Sequence, residues 1–170
     1  MVIFDLFAGL NSLVPGVRCK GAFNEHTIIE YNALVWLDPR PKPTYVDVEI
    51  AALAAMRIGI RNEINTKTNG MIVTGMIYNS VPVYADLEFQ FNLSQLFINK
   101  DMITYPYQMK LSDDEDGCGR YIMVQDSNEM ATIYFTVFNH VAVHLESGRL
   151  LKDTLKTMNR TALEEFRDLR

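Results

Sequence analysis

The stretch Asp38-Pro39-Arg40-Pro41-Lys42-Pro43-Thr44-Tyr45-Val46-Asp47-Val48-Glu49 divides the chain. Prolines at alternate positions fix an extended backbone and remove its N–H donors, which makes residues 38–43 a break rather than part of a strand or helix. Thr44, with Asp47 and Glu49 behind it, has the chemistry of a helix N-cap with acids in the first turns. Apolar residues at 46, 50, 53, 56, 60 and 64 then recur at three/four spacing, which predicts a long helix ending in the terminator-rich run 66–70.

Upstream of the break, the apolar positions 3, 6, 7, 10 and 13 predict a short helix closed by Val14-Pro15-Gly16. Residues 17–23 and 27–37 read as two strands joined at Asn24-Glu25-His26, because the second is rich in β-branched and aromatic residues. Downstream, the apolar runs 71–73 and 77–78 flank Thr74-Gly75-Met76. Asp86 is a second N-cap, opening a helix over 86–100. Residues 102–111 and 120–124 alternate enough to make two strands around the turn 112–119. From Ser127 onward the pattern is helical almost to the end.

The expected fold is therefore α+β, with three parts: an N-terminal αββ unit over 1–40, the Pro-rich linker and connecting helix over 41–69, and a C-terminal α+β domain over 70–170. That last domain holds a β-hairpin and a long C-terminal helix.

The final helix carries a heptad spacing at 130, 134, 137, 141, 144, 148, 151, 155, 158, 162, 165 and 169, broken by His144, Gly148 and Glu165. Ile133, Phe135 and Phe138 lie off this seam and are apolar too, so that half is buried on more than one face. A core helix interrupted near Ser147-Gly148 is the leading reading. A coiled-coil or trimer seam is the second.

The chain has 170 residues, 48% of them hydrophobic and 22% charged, with a formal charge of −5. These are the proportions of an ordinary globular protein. A basic stripe of the kind a nucleic-acid partner requires is missing. Much of the negative charge is the property of one loop, Asp113-Asp114-Glu115-Asp116. No apolar run approaches the ~18 residues of a membrane span, and an acid, Asp5, stands where a signal peptide carries its basic residues. The expectation is a cytosolic protein with free Cys19 and Cys118.

Motif searches return little chemistry. His140 and His144 share a helix face, but a tetrahedral zinc site needs a third ligand and the only other histidine is His26. With Gly117 at the sixth position of a calcium loop, Met123 stands where the bidentate glutamate belongs. No nucleophile elbow and no phosphate-binding glycine loop occurs. No enzyme activity, cofactor or metal is expected. Phe89-x-Phe91 and Tyr105-Pro-Tyr107 are aromatic pairs of the sort that serve either a core or a contact face.

The order of motifs resembles small tail proteins of bacteriophages and prophages. Leu6-x-x-x-Leu10-x-x-Leu13-Val-Pro-Gly16, Ile29-Glu-Tyr-Asn-Ala-Leu-Val-Trp36 and Arg40-Pro-Lys-Pro-Thr44 are similar to the N-terminal portion of such proteins. Gly70-Met-Ile-Val-Thr-Gly75, Asp86-Leu-Glu-Phe-Gln90, Tyr105 to Lys110 and Asn139-His-Val to Leu155 are similar to a domain of tail-fibre and tail-fibre-assembly proteins. Val83-Tyr84 and the acidic turn depart from that pattern. The resemblance implies a protein without catalytic residues, present in the host cytoplasm during assembly or in the virion tail. Its partner would be a tail-fibre or baseplate protein, with a homo-oligomer as a further expectation. It would act as a fibre chaperone or attachment factor; the alternative is a permanent tail or baseplate subunit. Trp36, Pro41, Pro43, Phe89, Phe91, Leu151, Leu155 and Met158 are the expected contact residues.

Overall fold

The computed structural model describes residues 3–170 and is α+β. Its elements in order are α1 (Leu6–Leu13), β1 (Cys19–Lys20), α2 (Ile28–Ala33), β2 (Val35–Trp36), α3 (Tyr45–Thr74), β3 (Met76–Tyr78), β4 (Val81–Val83), α4 (Leu87–Ile98), a 3-10 turn (Lys100–Met102), β5 (Tyr107–Asp113), β6 (Gly119–Val124), α5 (Ser127–Thr154) and α6 (Arg160–Glu165). Among the described residues the strands form three antiparallel pairs, β1–β2, β3–β4 and β5–β6. The chain divides into two compact units, one reaching up to Ile64 and taking in Leu151–Arg170, the other Asn65–Leu150.

The first unit is built on α1, α2, the front of α3 and the C-terminal segment. Asp5 caps α1 by accepting the Phe7 N–H at 2.8 Å. Phe4, Leu6, Leu10, Tyr31, Leu34, Val48, Ala52, Met56, Ile60, Ile64, Leu155 and Leu163 form its core. Residues 41–64 share that core with α1, so the structural division does not follow the boundaries at 40 and 69. Gly9 explains the fit of α1 on α3: a Cβ there would meet the Val48 carbonyl oxygen and come within 2.7 Å of the Ala52 nitrogen.

Two expectations fail in this unit. Residues 28–33 are a helix, not a strand, and Asn24-Glu25-His26 is not a hairpin turn. The reason is a reciprocal capping box: Thr27 Oγ1 accepts the Glu30 N–H at 3.3 Å while the Glu30 carboxylate accepts the Thr27 N–H at 3.2 Å. The same carboxylate also takes the N–H groups of Asn24 and Glu25. Strand propensity is a weaker local force than these bonds. The strands β1 and β2 still pair, Cys19 opposite Trp36, with α2 lying between them in sequence. The N-terminal part is therefore αβαβ.

The helix α3 starts as expected, with the Thr44 hydroxyl accepting the Asp47 N–H at 3.2 Å. It runs past 66–70 to Thr74, because Thr68 and Ile72 are buried beyond Ile64 and packing overrides the poor propensity of the intervening residues. Its buried stripe is Val48, Ala52, Met56, Ile60 and Ile64, while Val46 and Ile50 face solvent. The spacing read from sequence had the right period and, over the first turns, the wrong phase.

The second unit has its own core of Met76, Val83, Ala85, Leu93, Met109, Leu111, Val124, Met130, Ile133 and Val137. Asn79 and Ser80 hold positive φ of 46° and 64°, the pair of left-handed residues that a two-residue hairpin demands between β3 and β4. Asp86 caps α4 as expected, accepting the Phe89 N–H at 2.7 Å. Residues 71–73 belong to the end of α3. The hairpin β5–β6 forms in the region where the alternation placed one, but its first strand begins at Tyr107 rather than 102, and the two strands extend to Asp113 and back to Gly119, into the turn expected over 112–119.

Helix α5 is not interrupted at Ser147-Gly148; Gly148 is buried inside it. It ends at Thr154, and after a turn the Asn159 side chain caps α6. The heptad spacing of 130 to 169 consequently falls on two helices, the turn between them and the segment after α6, and no single seam runs through it.

Candidate interaction surfaces

The acidic tip is a closed turn. The Asp114 carboxylate accepts the N–H groups of Asp116 at 3.1 Å and Cys118 at 2.7 Å, and the Asp114 N–H donates to the Cys118 carbonyl. Lys110 and Asp113 form an exposed pair at 2.6 Å. The loop thus directs its central carboxylate at its own backbone. His140 is equally internal to the fold, its Nε2 lying 3.1 Å from the carbonyls of Met71 and Ile72 in the last turn of α3. An imidazole there serves the last carbonyls of a helix, of which Met71's also accepts the Gly75 N–H at 3.0 Å. His144 stands edge-on to it at 4.6 Å. Among the described residues no three His, Cys, Asp or Glu side chains gather as metal ligands.

Residues 38–43 are pinned rather than loose. The Asp38 carboxylate accepts Arg40 Nε at 2.7 Å and Nη2 at 2.8 Å, with the N–H groups of Arg40 and Arg18 completing its shell. The Arg40 guanidinium holds the Asp38 carboxyl well below the ordinary carboxylate range, against the opposing effect of burial. Lys42 Nζ donates to the Tyr31 carbonyl at 2.8 Å and sits 4.5 Å from the Tyr31 ring centroid. The Tyr31 hydroxyl donates to the Pro43 carbonyl.

The expected contact residues scatter. The half-buried Trp36 donates its indole N–H to the Arg40 carbonyl at 2.6 Å. Pro41 and Pro43 come together in an open apolar groove with Leu13, Val14, Ile50 and Ala54. On α4, Phe89 turns into a cleft of about 360 Å³ against β5, with Tyr84, Leu96 and Tyr107, whereas Phe91 is 62% exposed. Leu151 and Met158 pack against the first unit's core, and Leu155 is fully buried within it. These three side chains hold a fold together and offer no contact seam. The Met158 and Leu155 carbonyls are tied to Arg57 at 2.9 and 3.1 Å.

An apolar surface on α4 and α5 includes the expected contact residue Phe91, but also Phe135 and Phe138, which were expected to be buried and are exposed. Phe97 of α4 stacks on Tyr134 of α5 at 4.1 Å, and it meets Phe135 edge-on at 5.4 Å. Beside this junction Leu87, Phe91 and Ile98 project from α4, and Phe135, Phe138 and Leu145 from α5, each at least half exposed. Farther along, Leu87 and Leu145 line one shallow depression with Val141. The signal was present in the sequence: no Asp, Glu, Lys or Arg occurs from 130 to 145, a length of helix that a single buried stripe could not absorb.

Compared with protein-family models, characterised proteins and solved structures, the chain matches none. No described helix is long and apolar enough to cross a membrane.

Proposed function

We propose that this protein is a bacteriophage tail-fibre-associated factor that assists assembly or attachment of the receptor-binding fibre through protein–protein contacts, without catalysis. The motif order from Leu6 to Thr44 and from Gly70 to Leu155 motivates the reading. The observation that supports it is the amount of apolar side chain left in water. Ile29 is 77% exposed, Val46 59%, Ile50 61% and Ile58 58% in the first unit, and the second unit separately exposes the aromatic face of α4 and α5. Apolar patches of this kind are interaction sites in proteins that stay in solution, and a fibre chaperone must cover apolar strand and helix surface on its client until the chains register.

Co-expression with the neighbouring fibre gene tests the proposal. Soluble, trimeric fibre that is insoluble when expressed alone is the expected result; fibre that trimerises equally well without this protein overturns it. Stoichiometric copies in purified virions would instead make the protein a permanent tail or baseplate subunit.

A further inference from the structure

We propose that the α4–α5 face is a two-fold interface with a second copy of this chain, α5 packing antiparallel on its counterpart. The inference stands on the geometry of that face and does not rest on the phage reading.

Three observations select a second copy as the occupant. The first is area. The exposed parts of Leu87, Phe91, Ile98, Phe135, Phe138 and Leu145 amount to roughly 700 Å² of largely apolar surface, close to the ~800 Å² that each partner contributes to a standard specific interface.

The second is charge. From Met130 to Leu145 the helix carries no Asp, Glu, Lys or Arg. A two-fold axis brings every surface group near its own kind, so a self-associating face must be free of net charge or alternate in sign. The α5 half of this face is free of it, and the acids Asp86 and Glu88 lie at its α4 edge beside Leu87.

The third is shape. The exposed α5 stripe runs Phe135, Phe138, Ala142, Leu145 at three/four spacing, all facing solvent. A two-fold axis passing beside position 140 sets Phe138 over Ala142 of the second copy and Phe135 against its Leu145. Each large ring then meets a small or flexible side chain, the large-against-small alternation that lets antiparallel helices approach closely. The heptad seam named from sequence, at Met130, Tyr134, Val137 and Val141, faces inward as core, and the seam available to a partner is this neighbouring one.

The test uses the full chain. Wild-type protein in sedimentation equilibrium should form a dimer whose fraction rises with concentration. Phe138→Lys and Ala142→Glu should each weaken self-association by at least about tenfold, with far-UV circular dichroism and melting temperature preserved because both positions are exposed. Mixing the two single variants should restore a heterodimer, since the lysine introduced at position 138 of one chain then faces the glutamate introduced at position 142 of the other while the second contact stays native. A chain that is monomeric at all concentrations, variants that dimerise like wild type, or a mixture that fails to pair would each overturn the proposal. In the monomeric case the face belongs to a different protein.

Discussion

Asp38 shows how one side chain turns a proline-rich break into structure. Its carboxylate is nearly inaccessible and accepts from the Arg40 guanidinium and two backbone N–H groups. These bonds favour the ionised form, so its pKa in the folded chain lies below the value in the unfolded chain, about 3.9. A depressed folded pKa contributes stability that is fully present above the unfolded pKa and is lost as pH falls through the folded one. Asp38→Asn should therefore melt at a lower temperature than wild type near neutrality, with the gap constant down to about pH 4 and shrinking below it. A gap that does not change across acid pH would mean that the carboxylate's charge contributes nothing. Pro39, Pro41 and Pro43 announced an extended segment in the sequence. That Lys42 and Tyr31 also hold it fast could not be read there, because their bonds join residues brought close only by the fold, whereas Asp38 and Arg40 are two residues apart.

At the scale of elements, α1 depends on how closely it can approach α3. Gly9 makes that approach possible: the atoms its Cβ would strike are backbone atoms of Val48 and Ala52, which cannot rotate away. Gly9→Ala gains helix propensity, worth about 1 kcal/mol in an exposed helix. Here α1 would have to lift off the core, and overpacking of this kind costs about 1–3 kcal/mol. Urea unfolding should show a net loss of stability. An unchanged or raised midpoint would mean that α1 is not seated on α3. Helix α2 illustrates the opposite balance. It was legible in Thr27-x-x-Glu30, a capping-box spacing, but the run of β-branched residues around Ile28 and Ile29 pointed to a strand. Side-chain bonds to orphan N–H groups decided the matter, and both isoleucines remain at least half exposed.

For the whole molecule, Leu155 distinguishes a core from a seam. It is fully buried in the cluster that holds Phe4, Leu6, Leu10, Ile60 and Leu163. Leu155→Ala should cost about 2–5 kcal/mol in urea unfolding, by lost burial and the cavity left behind. Leu150→Ala, 53% exposed, should stay within about 0.5 kcal/mol of wild type. A stable L155A chain that merely dissociates from an oligomer would reinstate the seam reading. The C-terminal segment 151–170 thus completes a unit begun at the other end of the chain, and no local pattern reveals such a pairing.

By itself the sequence determined the α+β class, the short helix ahead of Val14, the helices opening at Thr44, Asp86 and Ser127, the β5–β6 hairpin and the uncharged run ahead of Glu146. All of these follow from periodicity and capping, which act over a few neighbouring residues. Only the tertiary structure decided the rest. It carried α3 past Gly70, kept α5 whole through Gly148, sent Leu155 inward and left Phe135 and Phe138 outside. Leu155, in the turn after α5, is buried by segments distant in the chain, and the other outcomes turn on which face of a helix is buried. A three/four repeat specifies the period of that face, whereas its phase depends on where distant segments pack, and burial there outweighs the fraction of a kcal/mol that local propensity contributes.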